Sequence, residues 1–169
     1  MDSLSSTIVQ LDFWWLTPVA VLLDNELLLI VTTFTLVLLA ERRRQKLLKI
    51  ALAVGLAVLL SAIIKDLVKI ERPCVDAPGK IECPPTYSFP SGHTIVAFTV
   101  MIAFLNKPTF VLYFVYATLV AFTRIYLGVH SFEDVAGSIA LAPFVYYITD
   151  EIWKKIKGEK YAFRTISKK

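Results

Sequence analysis

Both histidines of this 169-residue chain stand among cations and turn residues. His130 precedes Asp134 by four positions, a spacing that lets the carboxylate share a helix face with the imidazole and orient it. His93 closes the run Pro90-Ser91-Gly92-His93. Its glycine allows a close backbone approach, and a helix opening there presents free N–H groups to an anion. Lys65 and Arg72 lie seven apart, two helical turns, and so project from one face. Arg124 begins a third run that ends at His130 and Asp134. Taken singly, each piece has a bland reading: snorkelling cations, a loop-to-helix cap, a structural His–Asp pair. Together, three cations in a partly dry site repel one another unless an anion joins them. Phosphate suits Arg and Lys donors combined with backbone amides. Glu133 points about 100° away from Asp134 on a helix, so it is expected at the outer mouth.

The order Lys65-x6-Arg72-Pro73, Pro90-Ser91-Gly92-His93, Thr123-Arg124-x5-His130-x3-Asp134 resembles the three-part signature of the type-2 phosphatidic acid phosphatase superfamily. Lipid pyrophosphate phosphatases and vanadium haloperoxidases share that signature. Thr123 stands where the family usually has Ser, and the hydroxyl is kept. The resemblance implies that His130 is the nucleophile, oriented by Asp134, and forms a phosphohistidine. It implies that His93 protonates the leaving oxygen and later activates water. Lys65, Arg72, Arg124, the Ser91 hydroxyl and the Ser91 and Gly92 amides would hold the phosphoryl oxygens, with no metal and no cofactor. Two histidines and one aspartate form a weak zinc set beside so many cations.

Composition points to a membrane. Hydrophobic residues make up 56% of the chain and charged residues 19%, with mean hydropathy +0.63. The apolar residues come in blocks, where a soluble amphipathic helix would show a stripe. Spans are predicted at Leu27–Ala40, Leu47–Ile64, His93–Asn106, Thr109–Leu127 and Ser131–Ile148. The block Thr7–Leu23 carries Asp12 and Trp14-Trp15, which favour an interfacial or re-entrant helix broken near Pro18; a sixth span is the alternative. The expected fold is an all-α polytopic membrane bundle forming one domain over residues 1–169. The signature occupies 65–134 and a basic tail 151–169. Met1–Ser6 lacks a basic n-region, so no cleavable signal peptide is expected.

Of the 18 Lys and Arg residues, all but Lys65, Lys69, Arg72, Lys80 and Arg124 fall on the side of Glu41–Lys46, Lys107 and the tail. That side is read as cytoplasmic, which turns the signature outward. The net charge of +4 sits beside apolar blocks, which argues for headgroups over nucleic acid. The outer segment Asp66–Gly92 holds five of the eight prolines and both cysteines, Cys74 and Cys83. In an oxidising exterior these bridge; otherwise they are two buried thiols.

The expected substrate is a lipid phosphate or diphosphate. A polyprenyl diphosphate is preferred over phosphatidate or phosphatidylglycerol phosphate, because the compact chain resembles short prokaryotic members acting on carrier lipids. A non-catalytic lipid-binding protein is the reading from another class. A transporter would need paired broken helices at mid-membrane, whereas the polar residues here collect at one face.

Overall fold

The structure is a computed structural model and describes residues 2–158, which form eight α-helices. They are α1 (Ser3–Gln10), α2 (Leu16–Asp24), α3 (Glu26–Ala40), α4 (Arg44–Val68), α5 (Pro73–Asp76), α6 (Gly92–Ala103), α7 (Phe110–Tyr126) and α8 (Phe132–Ile156). No strand occurs among the described residues. The final part of the basic tail, 159–169, lies outside them.

Helix α6 is the centre of the bundle and packs against α4, α7 and α8. Its residues Thr94 to Val100 are buried without interruption, which is why its sequence is apolar all round. On α4 the buried face is Ile50, Ala53, Ala57 and Ser61. The last three recur every fourth residue, and their small side chains let the helix axes approach. The opposite face of α4 carries exposed Val58, Leu59, Ile63 and Leu67, and α3 and α7 expose further large apolar residues. Water does not favour such a surface; hydrocarbon does. Among the described residues, α4 alone is a single helix long and apolar enough to cross a bilayer. Helices α2 and α3 pass the same test only as a pair bent by 95°.

Three expectations need correction. The N-terminal block breaks at Leu11–Trp15, not at Pro18, which sits inside the first turns of α2. Proline is tolerated there because early helical N–H groups lack intrahelical partners anyway. Helix α4 ends at Val68, and Lys69 takes a left-handed conformation with φ 54°. Lys65 and Arg72 therefore do not share a helix; Pro73 holds Arg72 extended, at φ −78° and ψ 147°. Helix α8 also runs beyond Ile148 to Ile156, where Lys154 pairs with Asp150 at 2.7 Å and Lys49 of α4 bonds the same carboxylate.

The connection from α4 to α6 is shaped by short-range chemistry. Gly79 lies against the turn after α7, where an added Cβ would sit 2.3 Å from the Leu127 carbonyl oxygen. Gly128 in that turn has φ +80°, a backbone state that a β-carbon penalises. Lys80 N–H donates to Leu127 O at 3.0 Å and completes the junction. Cys74 and Cys83 form a disulfide within this connection. Closing so short a loop removes unfolded-state entropy worth about 2–3 kcal/mol. Reduction is expected to lower the thermal unfolding midpoint by several degrees and to depress activity, because the same segment carries side chains of the site. An unchanged midpoint after verified reduction would show that prolines and packing already hold the loop.

Candidate active site

All the elements that bear signature residues meet at one end of the bundle. Helices α3, α6 and α8 begin there, α4 and α7 end there, and a cavity of about 530 Å³ opens between them. Its lining includes Lys65, Arg72, Gly92, His93, Arg124 and His130. Five of the helices thus alternate in direction through the bundle.

His130 sits in the turn before α8, its residue exposure only 1%. The ring reaches Asp134 at 3.6 Å from Nδ1 to Oδ2, too long for a hydrogen bond. Ser88 fills the gap. Its hydroxyl donates to Asp134 Oδ2 at 2.5 Å and stands 3.3 Å from His130 Nδ1. Asp134 also accepts the Ser131 N–H at 2.8 Å, and Ser131 returns a capping bond, so the carboxylate is fixed by the helix start. On the other side of the imidazole, Arg72 Nη1 lies 3.1 Å from Nε2. Arginine can only donate, so Nε2 accepts and the ring proton belongs on Nδ1. In that tautomer the Nε2 lone pair accepts from Arg72, and both residues line the cavity. Burial is the largest influence on the His130 pKa and pushes it below the ordinary value. Arg124 and Arg72 act in the same sense and Asp134 against it. The ring is neutral at neutral pH.

Each cation is positioned by the protein. Arg72 donates from Nε to Thr86 O at 2.7 Å, from Nη2 to Thr86 Oγ1 at 2.8 Å and from Nη1 to Val129 O at 3.0 Å. Burial, then Arg124, lower its pKa to about 10, so it stays charged at neutral pH. Lys65 Nζ donates to the Ser88 carbonyl at 3.1 Å and to the Tyr87 carbonyl. Arg124 Nη1 pairs with Asp24 Oδ1 at 2.7 Å. His93 Nε2 lies 3.0 Å from the main-chain oxygen of Asp24, so it carries the proton in that bond.

Ser91 departs from the expected arrangement. Its N–H is taken by Ser138 Oγ at 2.8 Å, and its hydroxyl oxygen caps α6 by accepting from Thr94. It is fully buried and absent from the cavity lining, whereas Gly92 is present. The residue serves as the N-cap because a serine oxygen satisfies an orphan helical N–H better than it would a mobile ligand. Thr123 likewise turns its hydroxyl back to Val120 O at 2.7 Å within α7. Sequence reasoning missed Ser88, Thr86 and Asp24. None stands in a patterned motif, and each matters only because the fold brings it to a charged partner. Among the described residues no cluster of three His, Cys, Asp or Glu side chains forms a metal-binding group.

Below the cavity, a second one of about 210 Å³ runs between α3, α4 and α6. It shares Leu29, Ile30, Val54 and Val96 with the first and continues to Val37 and Leu47 at the far end of the bundle. A cationic chamber therefore opens into an apolar groove.

Over its described residues the protein is an all-helical bundle with histidines and three cations lining a cavity at one end. Residues 46–156 match the family model described as PAP2 superfamily, and the chain belongs to that family. The putative undecaprenyl-diphosphatase YbjG of Escherichia coli strain K12 is 30% identical over 154 residues, 86% of this chain and 77% of that protein. LpxE of Aquifex aeolicus superposes with a TM-score of 0.71 at 25% identity, covering 88% of this chain and 93% of its own. The transmembrane PAP2-type phosphatidylglycerolphosphate phosphatase of Bacillus subtilis gives 0.68 at 23% identity, covering 94% and 86%.

Proposed function

We propose that the protein is a metal-independent lipid phosphatase of the cell membrane that cleaves a polyprenyl diphosphate through a phosphohistidine. The observation that carries this reading is the Nε2 lone pair of His130, set beside Arg72 in a cavity that Lys65 and Arg124 also line. Phosphoryl transfer needs a nucleophile and dispersed positive charge, and His130 beside three cations supports that reading.

In the reaction, the phosphate takes over the Arg72 donor that now faces His130. Nε2 forms a bond to phosphorus as the bond to the leaving oxygen breaks, and His93, charged as the imidazolium beside the bound phosphate, gives that oxygen a proton and becomes neutral. Water then attacks the phosphohistidine, losing a proton to His93. Inorganic phosphate leaves and His130 is restored. Asp134 and Ser88 hold the Nδ1 proton throughout and stabilise the charge that builds on the ring.

The lipid tail fits the apolar groove between α3 and α4. A polyprenyl chain is favoured over acyl chains because a protein named for undecaprenyl diphosphate is similar over 86% of this chain. Five crossings, α3, α4, α6, α7 and α8, agree with their alternating directions, with α1 and α2 lying at the outer surface. The basic turn Arg42–Arg44 supports a cytoplasmic position for the opposite end of the bundle and an outward-facing site.

Phosphate release from purified protein in liposomes, assayed in excess EDTA, tests the reading. Undecaprenyl diphosphate is expected to be hydrolysed at least tenfold faster than phosphatidate or phosphatidylglycerol phosphate. A preference for either glycerolipid overturns the substrate assignment, and loss of all activity in EDTA overturns the metal-free mechanism.

A further inference from the structure

Asp24 lies outside the segment that matches the family, at the joint between α2 and α3. It nevertheless touches two of the groups given roles above. Its carboxylate accepts from Arg124 Nη1 at 2.7 Å, and its main-chain carbonyl accepts from His93 Nε2 at 3.0 Å. It lines the cavity beside both. The Arg124 side chain is only 2% exposed while that of Asp24 is 28% exposed, so the carboxylate reaches the open part of the chamber. The other two cations rest on neutral acceptors: carbonyls for Lys65, and carbonyls, a hydroxyl and an imidazole for Arg72. Among the described residues, Arg124 is the one of the three that bonds an anion, and its Nε has no partner there.

Resting on the phosphatase reading, we propose that Asp24 is a resident anion that competes with the phosphate group for Arg124 and so sets how tightly phosphate is held. A buried guanidinium without a counter-charge is costly, so the empty site needs one. A phosphate group brings more negative charge and more acceptor oxygens than a carboxylate, and takes Arg124 over. The joint suits withdrawal: α2 ends at Asp24, α3 begins at Glu26, and the two meet at 95° around Asn25. Because the carbonyl of the same residue holds His93, movement of the joint also frees the Nε2 proton for the leaving oxygen. When phosphate departs, Asp24 returns. Every phosphate bound must first displace it, which weakens apparent affinity and keeps product from being trapped.

Inorganic phosphate is the probe, read by its effect on the thermal unfolding midpoint of full-length protein in nanodiscs. Asp24→Asn, which keeps the shape and removes the charge, is expected to tighten phosphate binding by about tenfold. Unchanged or weaker binding overturns the proposal. Should the variant not fold, the wild-type protein supplies the second measurement: carbodiimide labelling of Asp24, mapped by peptide mass spectrometry. Saturating phosphate is expected to raise labelling several-fold over chloride, and no rise overturns the proposal. Both measurements read binding of free phosphate, so they are separable from the lipid hydrolysis that tests the function itself.

Discussion

His130→Ala is expected to lower phosphate release by at least about 10³-fold, the scale on which a covalent nucleophile is lost while binding residues remain. Its neighbours in the cavity are otherwise engaged, Asp24 being paired with Arg124. Lys65 is tied to two carbonyls and Arg72 is a donor only, while His93 presents Nε2 with its proton on. The residual rate then measures what the cations contribute by positioning and charge stabilisation alone. Rapid quench of the wild-type enzyme should trap an acid-labile phosphoprotein at His130. His93→Ala should slow both the formation and the hydrolysis of that species, since it removes the acid of the first step and the base of the second. Retention of more than a tenth of wild-type activity by a folded His130→Ala protein would exclude the covalent route.

The second large effect is expected from Asp134→Asn, a loss of about 10²–10⁴-fold with little change in KM. The amide can present N–H to Nδ1, which moves the ring proton to Nε2. There it removes the attacking lone pair and faces the Arg72 donor, two donors in opposition. Ser88→Ala separates the contributions, because the direct His130–Asp134 distance is 3.6 Å and the serine supplies the short contact to the carboxylate. It should cost about tenfold in kcat, since water can enter the space but holds the ring less firmly. If Ser88→Ala is silent while Asp134→Asn is severe, the carboxylate acts on the imidazole directly. If Asp134→Asn is also silent, the orienting role fails.

These effects differ in how far they were readable beforehand. His130, Asp134, His93 and the three cations stand in spaced runs, and their chemistry narrows to phosphate without any coordinates. Ser88 carries no such mark, being one hydroxyl in a proline-rich connection. Its importance comes from three elements meeting: the loop before α6, the turn after α7 and the first turn of α8. Lys65 and Arg72 show the reverse case. Both reach one cavity as expected, but not by sharing a helix, because Lys69 turns left-handed and Pro73 forbids continuation.

The helical class and most helix positions were also in the sequence, since long apolar blocks bounded by charged and proline-rich turns leave the backbone few ways to satisfy its hydrogen bonds in a low-dielectric surrounding. Order and residue type along the chain determined that a histidine-centred phosphate chemistry was available. Only the tertiary structure decided which groups stand beside these residues: Ser91 was drawn off to cap α6, Ser88 was inserted between imidazole and carboxylate, and Asp24 was brought from a distant helix joint onto Arg124. Local spacing encodes what a single helix or turn presents. A contact between residues a hundred positions apart depends on how helices pack, and packing is set by the summed shapes of side chains that carry no chemical signature of their own.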